Sequence, residues 1–117
     1  MKPLTSEWVE KAEGDFATAE REMDISVHAN YDAVCFHAQQ CAEKYLKACL
    51  QEADLPFRKT HDLSELLHSL LSVHPQFQSL QEDLNALRSL RLNIDTQVNR
   101  PIVTMPMKRC NDVAVSE

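Results

Sequence analysis

Glycine is almost absent from this chain of 117 residues, whose only glycine is Gly14. Gly-rich phosphate-binding loops and the G-x-S-x-G turn of many hydrolases each need more than one glycine, so neither motif is possible here. No H-E-x-x-H pair is present either, which removes the zinc proteases that carry it. These absences exclude, or nearly exclude, the common motif-bearing enzyme classes.

Cysteine gives no sign of a metal site or a disulfide framework. The four cysteines, none of them in a C-x-x-C pair, are Cys35, Cys41, Cys49 and Cys110. Three of them fall in one predicted helix, where two residues of the same helix cannot close a disulfide. His37 stands four residues before Cys41, but two ligands do not make a zinc site. We therefore expect reduced cysteines, no metal and no cofactor.

Long apolar runs are also absent, and the first residues, Met1-Lys2-Pro3-Leu4, lack an apolar signal region. We expect neither a membrane span nor a secretory signal, and therefore a cytoplasmic protein. The formal net charge is −6, without a block of like charges. Such a surface as a whole repels a phosphate backbone, so any contact with nucleic acid must be local.

The residues that are present are typical of a helical bundle. Apolar residues make up 44% of the sequence, and Leu, Ala, Glu, Gln and Lys dominate its middle, with few β-branched runs. That apolar content is enough for one small domain but not for two. We predict a single all-α domain over residues 1–117, with a core over about residues 6–98 and a weakly specified tail over residues 99–117.

The first helix is predicted to begin at Thr5 or Ser6, which would cap it, and to end between Asp24 and Ser26. Its apolar residues recur at spacings of three and four, and they are Trp8, Ala12, Phe16, Ala19 and Met23. Charged residues fill much of the remaining circumference and are predicted to face solvent. They are Glu10, Lys11, Glu13, Asp15, Glu20 and Arg21.

The second helix is predicted from Tyr31 to about Ala53, and its wide apolar sector implies packing against more than one neighbour. Its narrower polar face holds His37, Gln40, Glu43 or Lys44, Lys47 and Gln51. Glu43 and Lys47 are spaced for a helix-stabilising ion pair. We interpret Lys44 and Lys47 either as exposed cations whose stems cover apolar surface or as anion-binding groups.

A short third helix follows, and it ends before His74. Thr60 is placed to cap it, which puts His61 in its first turn. Short connections between helices favour antiparallel neighbours, so the pattern predicts an up-and-down antiparallel bundle.

The fourth helix is predicted from Pro75 or Gln76 to Gln97. Arg91 stands on its apolar stripe, where the next apolar residue is due, and a charge at such a position needs a partner. We interpret Arg91 either as pairing across the bundle with a carboxylate such as Glu43 or as facing a dimer partner.

Five polar residues form a candidate composite site: His37, Lys44, Lys47, His61 and Arg91. Imidazoles can carry out general acid–base work, and cations can hold phosphate. The two histidines also have structural interpretations. His37 fits a half-buried position at the edge of the core, and His61 fits a role in satisfying free backbone amides at a helix start.

Two segments carry a resemblance to a known family. Residues 36–47 read F-H-A-Q-Q-C-A-E-K-Y-L-K, and residues 59–63 read K-T-H-D-L. The chain resembles the HEPN domain (higher eukaryotes and prokaryotes nucleotide-binding), in which the second helix typically reads close to F-H-A-Q-Q-A-A-E-K-x-L-K and the third begins K-T-H-D-L. Trp8, Ala12 and the Asp15-Phe16 region fit the first helix of that family, so the resemblance covers roughly residues 6–98.

The resemblance implies a bundle of four or five antiparallel helices, often dimeric, similar to the C-terminal helical domain of kanamycin nucleotidyltransferase. Many small prokaryotic members are encoded beside a minimal nucleotidyltransferase, in pairs that include toxin–antitoxin systems. Other members are metal-independent ribonucleases, marked by an Arg followed four to six residues later by a His. Residues 92–98, which follow Arg91, contain no His, so the comparison favours a non-nuclease member.

The residues and the resemblance together support three functional hypotheses. The first is a binding module that docks a nucleotidyltransferase subunit, or holds a nucleotide or RNA, in a groove edged by His37, Gln40, Glu43, Lys44, Lys47 and His61. The second is a ribonuclease that uses Arg91 with a His from elsewhere in the chain or from the other protomer of a homodimer. The third is a dimerisation scaffold in which His61 contacts the second helix and Glu43 holds Arg91.

Overall fold

The computed structural model describes residues 2–25 and 30–89 of the chain, and the regular elements in these two ranges are helices. They are α1 (Pro3–Met23), α2 (Tyr31–Glu52), α3 (Leu63–Leu71), a 3₁₀ helix (Pro75–Leu80) and α4 (Gln81–Ser89). The prediction of an all-α fold is confirmed for these two ranges. No helix within the described ranges is long and apolar enough to cross a membrane.

Helix α1 begins earlier than the sequence pattern predicted. Lys2 is its N-cap residue and Pro3 occupies the first turn, where the fixed φ of proline suits a helix and its missing N–H costs nothing. The prediction that Thr5 or Ser6 caps the helix is therefore wrong. Thr5 instead lies inside α1 and is buried.

Helices α1 and α2 run antiparallel, as contacts at both ends show. At one end, the Lys2 N–H donates to Glu52 Oε1 (3.0 Å) and the Lys2 ammonium pairs with Asp54. At the other end, the Asn30 N–H donates to Glu22 Oε1 (2.6 Å). These contacts bring the start of one helix beside the end of the other and fix their register. The hydrogen bond from Lys2 also lowers the pKa of Glu52 below its ordinary value.

Helix α2 is the central element of the described structure, because it contacts α1, α3 and α4. Its bounds agree with the prediction, and its wide apolar sector is buried as expected. The buried apolar residues of α2 are Val34, Cys35, Ala38, Cys41, Ala42, Tyr45, Leu46, Ala48 and Leu50. A helix buried on so many sides leaves its polar residues little access to solvent except along one edge.

Helix α3 is capped by Asp62, whose side chain accepts hydrogen bonds from the backbone N–H groups of Ser64 (3.0 Å) and Glu65 (3.3 Å). The prediction that Thr60 caps this helix is therefore wrong. The Thr60 hydroxyl instead accepts from the Asp62 N–H (3.1 Å) and orders the approach to the helix. His61 accordingly lies just before the helix rather than in its first turn.

The region predicted as one long fourth helix starts differently. It opens with the 3₁₀ helix and continues as α4, while its remainder, including Arg91, and the predicted tail over residues 99–117 lie outside the described residues. Gln39 Nε2 donates to the Leu87 carbonyl (2.8 Å), which joins α2 to α4.

Candidate functional site

A buried carboxylate on α1 holds two residues of the polar face of α2. Asp15 is only 9% exposed. His37 Nδ1 donates to Asp15 Oδ1 (2.7 Å), and Lys44 Nζ donates to Asp15 Oδ2 (2.5 Å). The prediction that Asp15 faces solvent is wrong, because the antiparallel register of α1 and α2 turns this residue toward the His and Lys of its neighbour.

A second carboxylate, Glu43 on α2, makes the same kind of contact with the loop before α3. His61 Nδ1 donates to Glu43 Oε1 (2.8 Å), and Lys47 Nζ donates to Glu43 Oε2 (3.0 Å). The predicted pair between Glu43 and Lys47 is confirmed. The predicted contact of His61 with the second helix is also confirmed, and it bridges residues 18 positions apart in the chain.

These contacts form two clusters with one arrangement: the first is Asp15 with His37 and Lys44, and the second is Glu43 with His61 and Lys47. In each cluster, one carboxylate oxygen accepts from a histidine and the other accepts from a lysine. This division satisfies both oxygens of each buried anion and supplies a cation to offset its charge. A histidine that donates through Nδ1 has its Nε2 left for another partner. Both clusters therefore fix an imidazole in orientation while leaving one ring nitrogen for further contacts.

The four cations and imidazoles of these clusters differ in how much they reach solvent. The side chain of His61 is 83% exposed, whereas those of His37 and Lys47 are 29% and 9% exposed. Lys44 is also largely enclosed and pairs with Asp15. The interpretation of Lys47 as an exposed cation is wrong, because its ammonium group lies buried against Glu43. Of the residues in the two clusters, His61 is thus the most accessible to a ligand.

Trp8 joins the second cluster from α1, and the sequence patterns did not indicate this. Lys47 Nζ lies 5.4 Å from the centroid of the Trp8 ring, and Lys11 Nζ lies 5.6 Å from the same centroid. Phe57, in the loop before α3, meets Trp8 edge to face at 6.4 Å. The one signal in the sequence was the spacing of Lys11 one helical turn after Trp8, which favours contact between them.

Two further residues were predicted for the site, Gln40 and Arg91. Gln40 is half-buried on α2. Arg91 lies outside the described residues, so its predicted pairing with Glu43 stays a prediction. Within residues 2–25 and 30–89, no three His, Cys, Asp or Glu side chains are grouped so that they could hold a metal ion.

A family model for the HEPN domain matches residues 5–102. The chain belongs to the HEPN family. Comparisons with curated proteins and with solved structures found no match. Membership makes the chain a nucleotide- or RNA-associated module in general terms.

The HEPN-like sequence segments supply most of the residues in the two clusters. His37, Glu43, Lys44 and Lys47 come from the α2 segment, and His61 comes from the segment before α3. Asp15 on α1 completes the first cluster. In this HEPN domain, the residues of the family-like segments therefore also make the contacts that connect α1, α2 and the loop before α3.

Proposed function

We propose that this HEPN domain is a binding module for nucleotides or RNA that works beside a separate minimal nucleotidyltransferase subunit. The proposal is supported by family membership and by the Glu43 cluster, whose His61 imidazole is exposed. It makes the domain a non-catalytic partner, since residues 92–98 lack the histidine that HEPN ribonucleases place after their arginine.

The observation that carries this proposal is the exposed His61 ring, held by the buried Glu43 carboxylate. A buried ion pair such as Glu43 with Lys47 often adds no stability over well-packed apolar residues of similar size. The Glu43 carboxylate accepts a hydrogen bond from the exposed His61 ring. This contact favours a second role for the ion pair, which is to orient the His61 ring toward a ligand. Lys47 supports this site by offsetting the charge of Glu43, whereas Lys44 is paired with Asp15 in the other cluster.

Titration calorimetry with nucleoside triphosphates and with short RNA tests this proposal, first on the domain alone and then with a minimal nucleotidyltransferase added. We expect His61→Ala to weaken ligand or partner binding at least several-fold. The matched control is His68→Ala, which removes another exposed imidazole, on α3. Equal binding by the wild type and both variants would remove His61 from the site.

A structural scaffold is the second candidate, and a specific observation favours it. Five of the predicted site residues have partners within the described residues, and these contacts connect α2 to its neighbours; they are His37, Glu43, Lys44, Lys47 and His61. On this hypothesis, His61→Ala lowers the melting temperature and leaves every partner affinity unchanged. Melting curves recorded on the calorimetry samples therefore separate the two candidates.

A metal-independent ribonuclease is the remaining alternative. It predicts RNA cleavage that resists chelators and is abolished by Arg91→Ala. Incubation of concentrated protein with RNA in the presence of EDTA is the direct test, and intact RNA after long incubation argues against this activity.

The proposed module is a homodimer with the complete up-and-down antiparallel arrangement of four or five helices, and its gene pair is a candidate toxin–antitoxin system. Light scattering of the purified chain measures the dimer. Growth assays with each gene expressed alone and with both together test the toxin–antitoxin role.

A further inference from the structure

A cationic surface with aromatic residues lies at the start of α1 and the loop before α3. We name it the aromatic–cationic patch, and it consists of Trp8, Lys11, Phe57, Arg58, Lys59 and His61. Lys11, Arg58, Lys59 and His61 are exposed, while the two aromatic residues are half-buried. Such a concentration of cations is notable in a chain with a net charge of −6.

The patch is continuous because one aromatic contact brings its two segments together. Phe57 packs edge to face against Trp8 at 6.4 Å, so the loop that carries Arg58 and Lys59 lies against α1. Lys11 Nζ lies 5.6 Å from the centroid of the same Trp8 ring. The cations of both segments therefore belong to one surface.

Two of these cations keep their charge available to a ligand. Neither Lys11 nor Lys59 pairs with a carboxylate in the part of the chain that the structure describes. The contact of Lys11 with Trp8 positions its ammonium group against a neutral ring, which does not cancel the charge. Lys44 and Lys47 differ in this respect, because each is paired with a buried carboxylate.

The acidic residues nearest in sequence to the loop are largely engaged elsewhere. Glu65 pairs with Arg58, whose guanidinium lies 2.8 Å away. The Asp62 carboxylate accepts two backbone N–H groups at the start of α3. On α1, the exposed Glu7 and Glu10 flank Trp8 and oppose the patch, so attraction for an anion is modest and depends on salt.

We propose that the aromatic–cationic patch binds the phosphate backbone of single-stranded RNA. A mononucleotide needs a concave site that encloses it, whereas the patch is an open surface on which the side chain of Arg58 is 77% exposed and that of His61 is 83% exposed. Several exposed cations beside aromatic rings are the features by which proteins follow a single strand. The inference rests on the proposed function and narrows its ligand to an RNA chain.

The second polar cluster gives this surface one fixed contact. His61 donates through Nδ1 to Glu43. A phosphate oxygen accepts a hydrogen bond from Nε2 when the ring is an imidazolium, in which both nitrogens carry a proton. Lys47 offsets the charge of Glu43 and so limits its repulsion of an approaching phosphate. Lys11 and Lys59 then supply long-range attraction, and the oriented imidazolium supplies a directed, charge-assisted hydrogen bond.

Fluorescence anisotropy with a labelled oligouridylate of about ten nucleotides tests the proposal on the full chain. With three phosphate contacts, the logarithm of the binding constant falls against log salt with a slope of about −2, so affinity drops about 15- to 20-fold between about 50 and 200 mM salt. We expect Lys59→Gln and Lys11→Gln each to weaken binding about five- to tenfold at the lower salt and to reduce the slope by about 0.7.

The control is Arg21→Gln, which removes an exposed cation from α1, where the Arg21 guanidinium donates to the Thr18 hydroxyl (3.3 Å). We expect this variant to keep the affinity and salt slope of the wild type. Equal losses in Arg21→Gln and the patch variants would overturn the proposal, as would wild-type protein that does not bind the RNA at low salt.

One further result separates this inference from the proposed function. If Lys11→Gln and Lys59→Gln weaken binding of the nucleotidyltransferase but leave RNA binding unchanged, the patch is a protein-docking surface and the RNA proposal is wrong. Nucleotide or partner binding that persists without any RNA binding would also overturn the inference while leaving the broader module intact.

Discussion

Replacement of Asp15 by alanine is the most informative perturbation of this HEPN domain. Asp15 is buried and accepts hydrogen bonds from His37 and Lys44, which come from another helix. Asp15→Ala removes the shared acceptor of both. It leaves an ammonium group and an imidazole partly enclosed between α1 and α2 without their carboxylate.

The expected loss follows from how deeply these groups lie. Breaking a fully buried ion pair by removing one partner costs about 3–5 kcal/mol. The side chains of His37 and Lys44 are 29% and 22% exposed. Because solvent screens these charges in part, the expected loss of unfolding free energy is about 2–3 kcal/mol. Alanine regains about 0.5 kcal/mol through its better helix propensity. We expect a net loss of about 2 kcal/mol, which lowers the melting temperature by about 8 °C in a chain of this size.

Urea unfolding followed by far-ultraviolet circular dichroism measures this loss. Glu13→Ala is the matched control, since it removes an exposed carboxylate from the same helix and should change the free energy of unfolding by no more than about 0.5 kcal/mol. A double-mutant cycle with Lys44→Ala should give a coupling energy of about 1 kcal/mol or more. If Asp15→Ala and Glu13→Ala unfold with the same free energy, the Asp15 cluster does not stabilise the fold and the reasoning fails.

Three further predictions concern helix ends and contacts. Asp62→Ala should lower the free energy of unfolding by about 1 kcal/mol, because α3 loses its cap. Thr60→Ala should lower it by less, and urea unfolding of the two variants compares them. Gln39→Ala should also cost about 1 kcal/mol by removing the bond to the Leu87 carbonyl, and hydrogen exchange should show faster opening of α4. The pKa of Glu52 is lowered in the folded state, so its contribution is present above its ordinary pKa and is lost as pH falls through the folded-state value. The stability advantage of the wild type over Glu52→Gln should therefore shrink on acidification, and an advantage that grows at low pH would contradict this.

Much of the fold was predictable from the spacing of apolar residues. The bounds of α2, its wide buried sector and the pair between Glu43 and Lys47 all follow from helical periodicity, which is a local property. The segments that resemble the HEPN family implied the right fold class through the resemblance itself; residues 36–47 lie in α2, whereas residues 59–62 precede α3. Local pattern is sufficient for such features.

The errors share a different origin. Thr5 or Ser6 was predicted to cap the first helix and Thr60 the third, yet Pro3 allowed α1 to start earlier and Asp62 capped α3 with two hydrogen bonds. Several residues that can serve as caps stand close together at each start, and packing selects among them. Asp15 was predicted to face solvent because it is one of the charged residues outside the apolar series of the first helix. Only the packing of α2 against α1 shows that Asp15 is covered.

The sequence by itself determined that this chain is helical, where its central helix runs and which family it belongs to, because periodicity and motif are written in neighbouring residues. Only the tertiary structure decided that Asp15 contacts His37 and Lys44, which lie 22 and 29 positions away. It also decided that Lys47 is buried and that the exposed His61 is hydrogen-bonded to the buried Glu43 carboxylate. The physical reason is that these contacts depend on the register of packed helices, and that register is set by the whole core rather than by any one segment.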